Sequence, residues 1–209
     1  MAARMPNPVP LAGRLVRLEP FRESDADELA QLLLDQALHE QGFVMYPAPR
    51  NHDEALERVW SSWAARPNDD PSGRVTWAVR LTGDGELGPA GTLVGASSLG
   101  EPELANEAVH LGWTVYGRPW WGTLVNPATK FLLLQEAFES LGYGRVRIQT
   151  DALNVRSQAA ITKLGATREG VLRRHKVRAD GTFRDTVVFS ILRDEWPAVK
   201  LGLAERLGS

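Results

Sequence analysis

Glu107-Ala-Val-His-Leu-Gly-Trp-Thr-Val-Tyr116, the loop Gly117-Arg-Pro-Trp-Trp-Gly-Thr-Leu-Val-Asn126 and the run from Pro127 to Gly165 decide how this 209-residue chain folds. The first segment alternates: Val109, Leu111, Trp113 and Val115 share one side and His110, Gly112, Thr114 and Tyr116 the other, the period of a strand. The loop carries glycine and proline breakers and ends at Asn126, a helix cap, before Pro127, a favoured first helical residue. Residues 127–141 then read as helix, 144–151 as a second strand, and Asn154 caps a second helix through Leu164 that Gly165 stops. Two parallel strands with a helix between them form a βαβ unit, whose ligand crevice lies beyond the strand C-termini. A strand that feeds through a loop into a helix N-terminus also presents unpaired N–H groups and a positive dipole end, which together make an anion site.

Outward from this unit, residues 13–21 alternate as a strand, and Ser24 caps a helix through about Leu38 with Asp25 and Asp27 at its positive end. Asn51 caps a helix over 52–65 with Leu56, Val59, Trp60 and Trp63 on one stripe. Pro67 to Pro71 reads as a turn. Residues 74–81 and 91–99 read as neighbouring strands, residues 167–177 and 182–192 flank an Ala179-Asp-Gly181 hairpin turn, and a short helix begins at Asp194. Residues 1–10 hold three prolines and no periodicity, an extended lead-in to one domain spanning 1–209.

Composition excludes several chemistries. The chain has no cysteine, which removes disulfides, thiolate nucleophiles and zinc-thiolate sites. The four histidines, His39, His52, His110 and His175, have no i, i+4 spacing with a carboxylate partner, so no metal site is expected. Neither a Gly-x-Ser-x-Gly elbow nor a Gly-x-x-x-x-Gly-Lys-[Ser/Thr] loop is present, and no Gly-x-Gly-x-x-Gly dinucleotide fingerprint follows the 107–116 strand. A net charge of −2 gives no electrostatic reason for nucleic-acid or membrane-surface binding. No apolar run approaches the roughly 20 residues of a membrane span, and the N-terminus lacks a signal-peptide pattern, making the cytoplasm the expected location.

The order Leu-Gly-Trp (111–113), a turn around Gly122, Ala137-Phe-Glu-Ser-Leu-Gly142, Arg145-Val146, Asn154-x-x-Ser157 and Lys163-Leu-Gly-Ala-Thr-Arg-Glu-Gly170 resembles the GNAT superfamily of acyltransferases. Gly13-Arg-Leu-Val-Arg-Leu-Glu-Pro-Phe21 followed by Asp25-Ala26 is similar to the opening strand of the branch typified by ribosomal-protein N-terminal acetyltransferases, and the resemblance covers nearly the whole chain. It implies an α/β (α+β) fold: a mixed, mainly antiparallel sheet of about six or seven strands around a parallel βαβ pair, with flanking helices. It also implies acetyl-CoA as cofactor and an amine acceptor, either a peptide N-terminus or a small amine. A homodimer is the expected assembly, from the resemblance and from the seven tryptophans.

Site residues follow from the resemblance together with the residues themselves. Trp121, Gly122, Thr123, Leu124, Val125 and Asn126 stand where the family's pyrophosphate loop lies. The chain departs from the family's Gln/Arg-x-x-Gly-x-Gly/Ala pattern there, so backbone amides, above all those of Leu124, Val125 and Asn126, are expected to carry the phosphates. In the resembled fold two core strands splay and a thioester carbonyl meets strand backbone, here Trp113, Thr114 or Val115. Asn154 and Ser157 match positions that hold the pantetheine arm and the thiol sulfur. Many members use a tyrosine to protonate the thiolate; Ile161 stands there, which leaves Ser157 as the substitute. Arg156 and Lys163 are either phosphate contacts or a solvated helix face. His110, with an ordinary pKa near 6.5, is the candidate general base, on the same face as Thr114, and Glu107 is the alternative. The family also builds its acceptor wall from the first two helices, which here brings in Phe43, Met45, Tyr46 and Trp60. A catalytically inactive acyl-CoA-binding protein is the other reading the residues permit.

Overall fold

The computed structural model describes residues 2–41, 46–63 and 73–208. The strands are β1 (Leu11–Ala12), β2 (Val16–Pro20), β3 (Val75–Leu81), β4 (Leu93–Glu103), β5 (Ala108–Tyr116), β6 (Arg145–Asp151), β7 (Thr167–Val177) and β8 (Phe183–Leu192). The helices are α1 (Ala26–Leu33), α2 (Gln36–Gln41), α3 (His52–Ser62), α4 (Val125–Gln135), α5 (Val155–Thr162) and α6 (Trp196–Leu207). One sheet runs in the order β1-β2-β3-β4-β5-β6-β8-β7. Every neighbouring pair is antiparallel except β5 and β6, the expected βαβ pair. The sheet has eight strands, more than expected, because Leu11 and Ala12 pair with β2. The proline-rich lead-in is tied down as well: the Val9 carbonyl accepts the Trp77 indole N–H at 2.7 Å.

Apolar residues pack on both faces. Val109, Leu111, Ile148, Val187, Phe189 and Ile191 lie in one cluster with Leu133, Leu134 and Ala137 behind α4, and with Trp196 of α6. Val115 and Ala96 lie in the other with Leu29, Leu33, Ala55, Val59 and Trp63 from the α1–α3 side. Asn51 caps α3 as expected, accepting the Glu54 amide at 2.9 Å. Of the α3 stripe, Val59 and Trp63 are buried but Trp60 is 41% exposed.

Four local expectations are corrected. Helix α4 starts at Val125 with Leu124 as its cap, so Asn126 and Pro127 lie inside its first turn. Proline is tolerated there because the first four helical N–H groups have no intrahelical partner. The helix also passes into a π turn over Glu136–Ser140 instead of continuing as α-helix. The first long helix is broken into α1 and α2 at residues 34–35.

The fourth correction concerns β5, whose alternation stops at a bulge. Ala96 pairs with Val115 and Ser98 with Gly112, so Trp113 and Thr114 together oppose Ser97, and Trp113 takes φ +46. Val115 is thereby thrown to the face opposite Leu111, and His110 and Thr114 do not share a face as expected. The Thr114 hydroxyl turns toward α4 and bonds Lys130, whereas the His110 ring lies 4.7 Å from that of Trp113. A left-handed non-glycine residue costs roughly 1–2 kcal/mol. Here the Trp63 indole N–H, 2.6 Å from the Trp113 carbonyl, holds it in place.

Candidate active site

Strands β5 and β6 pair only over Ala108–His110 and Arg145–Arg147. Beyond that, β5 stays with β4 and β6 with β8, so the parallel strands part. A cavity of about 580 Å³ fills the gap. It reaches from the Trp121–Thr123 loop and the first turn of α4, past the bulge, to α5, and through to Trp63 and Tyr46 on the far face. This is the crevice that strand divergence and the helix N-terminus require.

At one end lies a cradle of backbone. Among the described residues the amides of Gly122, Thr123 and Asn126 have no hydrogen-bond partner, and these three residues line the cavity. Gly122 holds φ +76, a conformation only glycine adopts without strain. Val125 and Leu124 differ from expectation. Val125 is buried with its amide spent on Thr123 Oγ1 at 3.2 Å, and the Leu124 side chain is 40% exposed; neither is part of the cavity wall. Trp121 does line it, its indole N–H donated to the Tyr116 carbonyl at 2.8 Å and its ring under the Arg156 guanidinium. Across the gap, Asn154 caps α5 by accepting the Ser157 amide at 2.9 Å, and both residues face the cavity.

At the other end stands a group of charged side chains. His110 is 5% exposed, with Nδ1 3.4 Å from Glu101 Oε2, a long polar contact. Burial lowers the imidazole's pKa against the opposing pull of Glu101, so the ring is held neutral. His110 and then Arg147, whose guanidinium bonds Glu101 at 2.5 Å, hold the carboxyl down to about 2 against desolvation. Glu101 itself sits at φ +51 where β4 and β5 slip register between Gly100 and Glu103. Gly112 lies under the histidine: a Cβ there would come within 2.7 Å of Nε2. Glu107 is placed elsewhere, in a left-handed turn before β5 with its carboxylate 2.9 Å from Arg193, and it does not line the cavity.

Between the two ends sits Lys130, a residue the sequence reading passed over. It is buried, donates to Thr114 Oγ1 at 2.6 Å and to Ser97 Oγ at 3.0 Å, and has no carboxylate partner among the described residues. Desolvation pulls its pKa down to about 7. One signal was available: Lys130 lies three, four and seven residues before Leu133, Leu134 and Ala137, on a buried helical stripe. Glu101 gave none, since it stands beyond the strand end that the sequence suggests. Of the acceptor-wall residues, Tyr46 lines the cavity, Trp60 does not, and Phe43 and Met45 lie outside the described residues.

Residues 15–167 match the acetyltransferase (GNAT) domain family. The chain belongs to the GNAT acetyltransferase family. A solved acetyltransferase from T. thermophilus is similar at 35% identity and TM-score 0.80, over 97% of this chain and 98% of that one. A GCN5-related N-acetyltransferase from Brucella melitensis is similar at 27% identity and TM-score 0.83, over 98% and 87%. A ribosomal-protein-serine acetyltransferase from Vibrio cholerae shares the fold at 22% identity and TM-score 0.70, over 88% and 97%. No curated protein matches the chain. As a GNAT-type acyltransferase the protein takes its acyl group from acetyl-CoA, and the bare amides of Gly122, Thr123 and Asn126 at a helix N-terminus suit a diphosphate. No helix among the described residues is long and apolar enough to cross a membrane.

Proposed function

We propose that the protein is an N-acetyltransferase that acts on a primary amine of low pKa, such as a peptide N-terminus, by direct attack with both substrates bound. One observation carries this reading: a single cavity joins unbonded amides at Gly122, Thr123 and Asn126 to Ser157 and, through the strand gap, to His110. Acetyl-CoA supplies the activated acyl group. The amides of the loop hold its diphosphate, Asn154 and the parted edge of β5 over 113–115 hold its arm, and His110, oriented by Glu101, takes the proton of the attacking ammonium. Ser157 gives a proton to the departing sulfur. Backbone on the β6-facing edge of β5 receives the developing oxyanion.

The preference for a weakly basic amine follows from His110. Near pH 7.5 an α-amine of pKa about 7.8 is neutral roughly a third of the time, whereas a lysine amine at about 10.4 is neutral about once in a thousand. A histidine whose pKa is lowered by burial is a weak base and suits the first kind. The N-terminal specificity of the ribosomal-protein branch is one acceptor of this type, and a small amine is another.

The test is incubation with acetyl-CoA and a panel of amines while free thiol is followed. The chain has no cysteine, so every thiol signal comes from coenzyme A. Thiol release with peptide α-amines and little with lysine side chains is expected; stabilisation by acetyl-CoA without thiol release from any amine would overturn the reading. The homodimer belongs to the same proposal, and light scattering should give twice the 23.0 kDa chain mass.

A further inference from the structure

Resting on the coenzyme placement proposed above, we propose that Lys130 is itself an acetylation site: with no amine acceptor bound, its side-chain nitrogen takes the acetyl group of acetyl-CoA seated in the same chain. Residues four apart share a face of a helix, and Asn126, whose amide belongs to the phosphate cradle, and Lys130 both line the cavity from α4. The proposed seat of the thioester is the edge of β5 over 113–115, and Lys130 Nζ lies 2.6 Å from Thr114 Oγ1 in that stretch. The bulge makes this meeting, since it turns the Thr114 hydroxyl to the α4 side.

Hydrogen bonds around the amine decide which part of it is left over. The Ser97 and Thr114 hydroxyls lie 2.8 Å apart, and Thr114 Oγ1 donates to the Gly112 carbonyl at 3.3 Å. Each hydroxyl has one hydrogen: that of Thr114 goes to Gly112 and that of Ser97 to Thr114, so both oxygens accept from Lys130. A neutral amine spends its two hydrogens on those acceptors, and its lone pair, the nucleophile, has no partner among the described residues. Burial brings the pKa down to about 7, so near pH 7.5 roughly three-quarters of the amine is neutral, against about one in a thousand for an ordinary lysine. In the step itself the nitrogen attacks the thioester carbonyl carbon, a C–N bond forms as the C–S bond breaks, and the sulfur leaves with the bonding pair. The proton lost from nitrogen ends on that sulfur, giving coenzyme A. The product is a neutral amide, which a dry site holds at lower cost than an ammonium, and Ser97 and Thr114 keep their mutual bond. The other lysines are placed differently: Lys163 and Lys176 line the cavity but are exposed, and Lys200 lies outside it, paired with Glu139 at 2.7 Å.

To test this, the intact protein is incubated with acetyl-CoA carrying a deuterated acetyl group, without acceptor, and the chain's four lysines are mapped by mass spectrometry. The label should enter Lys130 at least roughly tenfold faster than Lys163, Lys176 or Lys200, with up to one equivalent of thiol released per chain. The rate per chain should be unchanged on dilution of the protein, as transfer within one chain requires, should saturate in acetyl-CoA and should fall when coenzyme A is added. Acetyl phosphate, a donor without the coenzyme, should label the exposed lysines and spare Lys130. Lys130→Met should lose the equivalent of thiol and keep only the slow labelling elsewhere. An unlabelled Lys130, equal labelling of all four lysines, or labelling of Lys130 that rises linearly with acetyl-CoA overturns the proposal. Thiol release with peptide α-amines separates its failure from that of the transferase reading. Turnover of α-amines with Lys130 unlabelled removes this inference alone, whereas a labelled Lys130 with no amine turned over supports the site and counts against the transferase reading.

Discussion

The two ends of the cavity are made of different material. The coenzyme end is mostly main chain: three amides, a left-handed glycine and an asparagine cap. The acceptor end is mostly side chain: a buried histidine, an orienting glutamate and a rim of cations. A main-chain site tolerates substitution provided backbone angles survive, so on the proposed reading this chain does not need the glycines of its family's phosphate loop. A side-chain site does not. The same difference should appear in variants of each end, and Lys130, at the join, should respond differently from both.

Lys130 carries the largest expected effect. Its pKa falls from an ordinary 10.5 to about 7 in the fold, so burial costs on the order of 5 kcal/mol at or below pH 7. The unfolded chain binds the extra proton between about pH 7 and pH 10.5, and stability attributable to this residue therefore rises across that window. In Lys130→Met, Ser97 and Thr114 still bond each other at 2.8 Å, so the fold persists. The difference in unfolding free energy between variant and wild type should shrink from pH 7 to pH 10; a difference that stays constant would place Lys130 in water. At the acceptor end, His110→Gln should lower kcat/KM by roughly a thousandfold, within the usual range for a general base, and leave KM for acetyl-CoA unaltered. A matching rise in that KM would move His110 to the coenzyme end.

Ser157→Ala should lower kcat about a hundredfold with little change in either KM, the mark of an interaction used only in the transition state. A wild-type kcat in this variant would leave the sulfur without its proposed donor. For Gly122→Val a left-handed valine is strained by roughly 1–2 kcal/mol, so KM for acetyl-CoA should rise about tenfold; nothing stands within 4 Å of the added Cβ, so a steric cause is absent. The smallest effect belongs to Asn126→Ala, where an amide does the binding: KM for acetyl-CoA should change less than about threefold. A larger loss would show that its side chain holds the coenzyme and would blur the contrast between the two ends.

Punctuation and period made most of the fold legible. Asn51 and Asn154 cap the helices they were expected to cap, Gly165 turns at φ +92, and β5, α4 and β6 form the expected parallel unit. Bulges were not legible, because one inserted residue leaves no mark in an alternating pattern until its partner strand is known. That single shift at Trp113–Thr114 explains why Thr114 meets Lys130 and not His110. The loop that runs into the first turn of α4 was readable from chain-local signals. Glu101, Arg147, Lys176 and Arg184 converge on the acceptor end from four strands, and such convergence is set by register, which one sequence does not display.

The most direct measurement is a crystal structure of the protein with coenzyme A. The diphosphate should rest on the amides of Gly122, Thr123 and Asn126, and the sulfur should lie within hydrogen-bond reach of Ser157 Oγ in the gap between β5 and β6. A diphosphate seated on Arg184 and Lys176 instead, with the gap empty, would reverse the two ends and contradict the account.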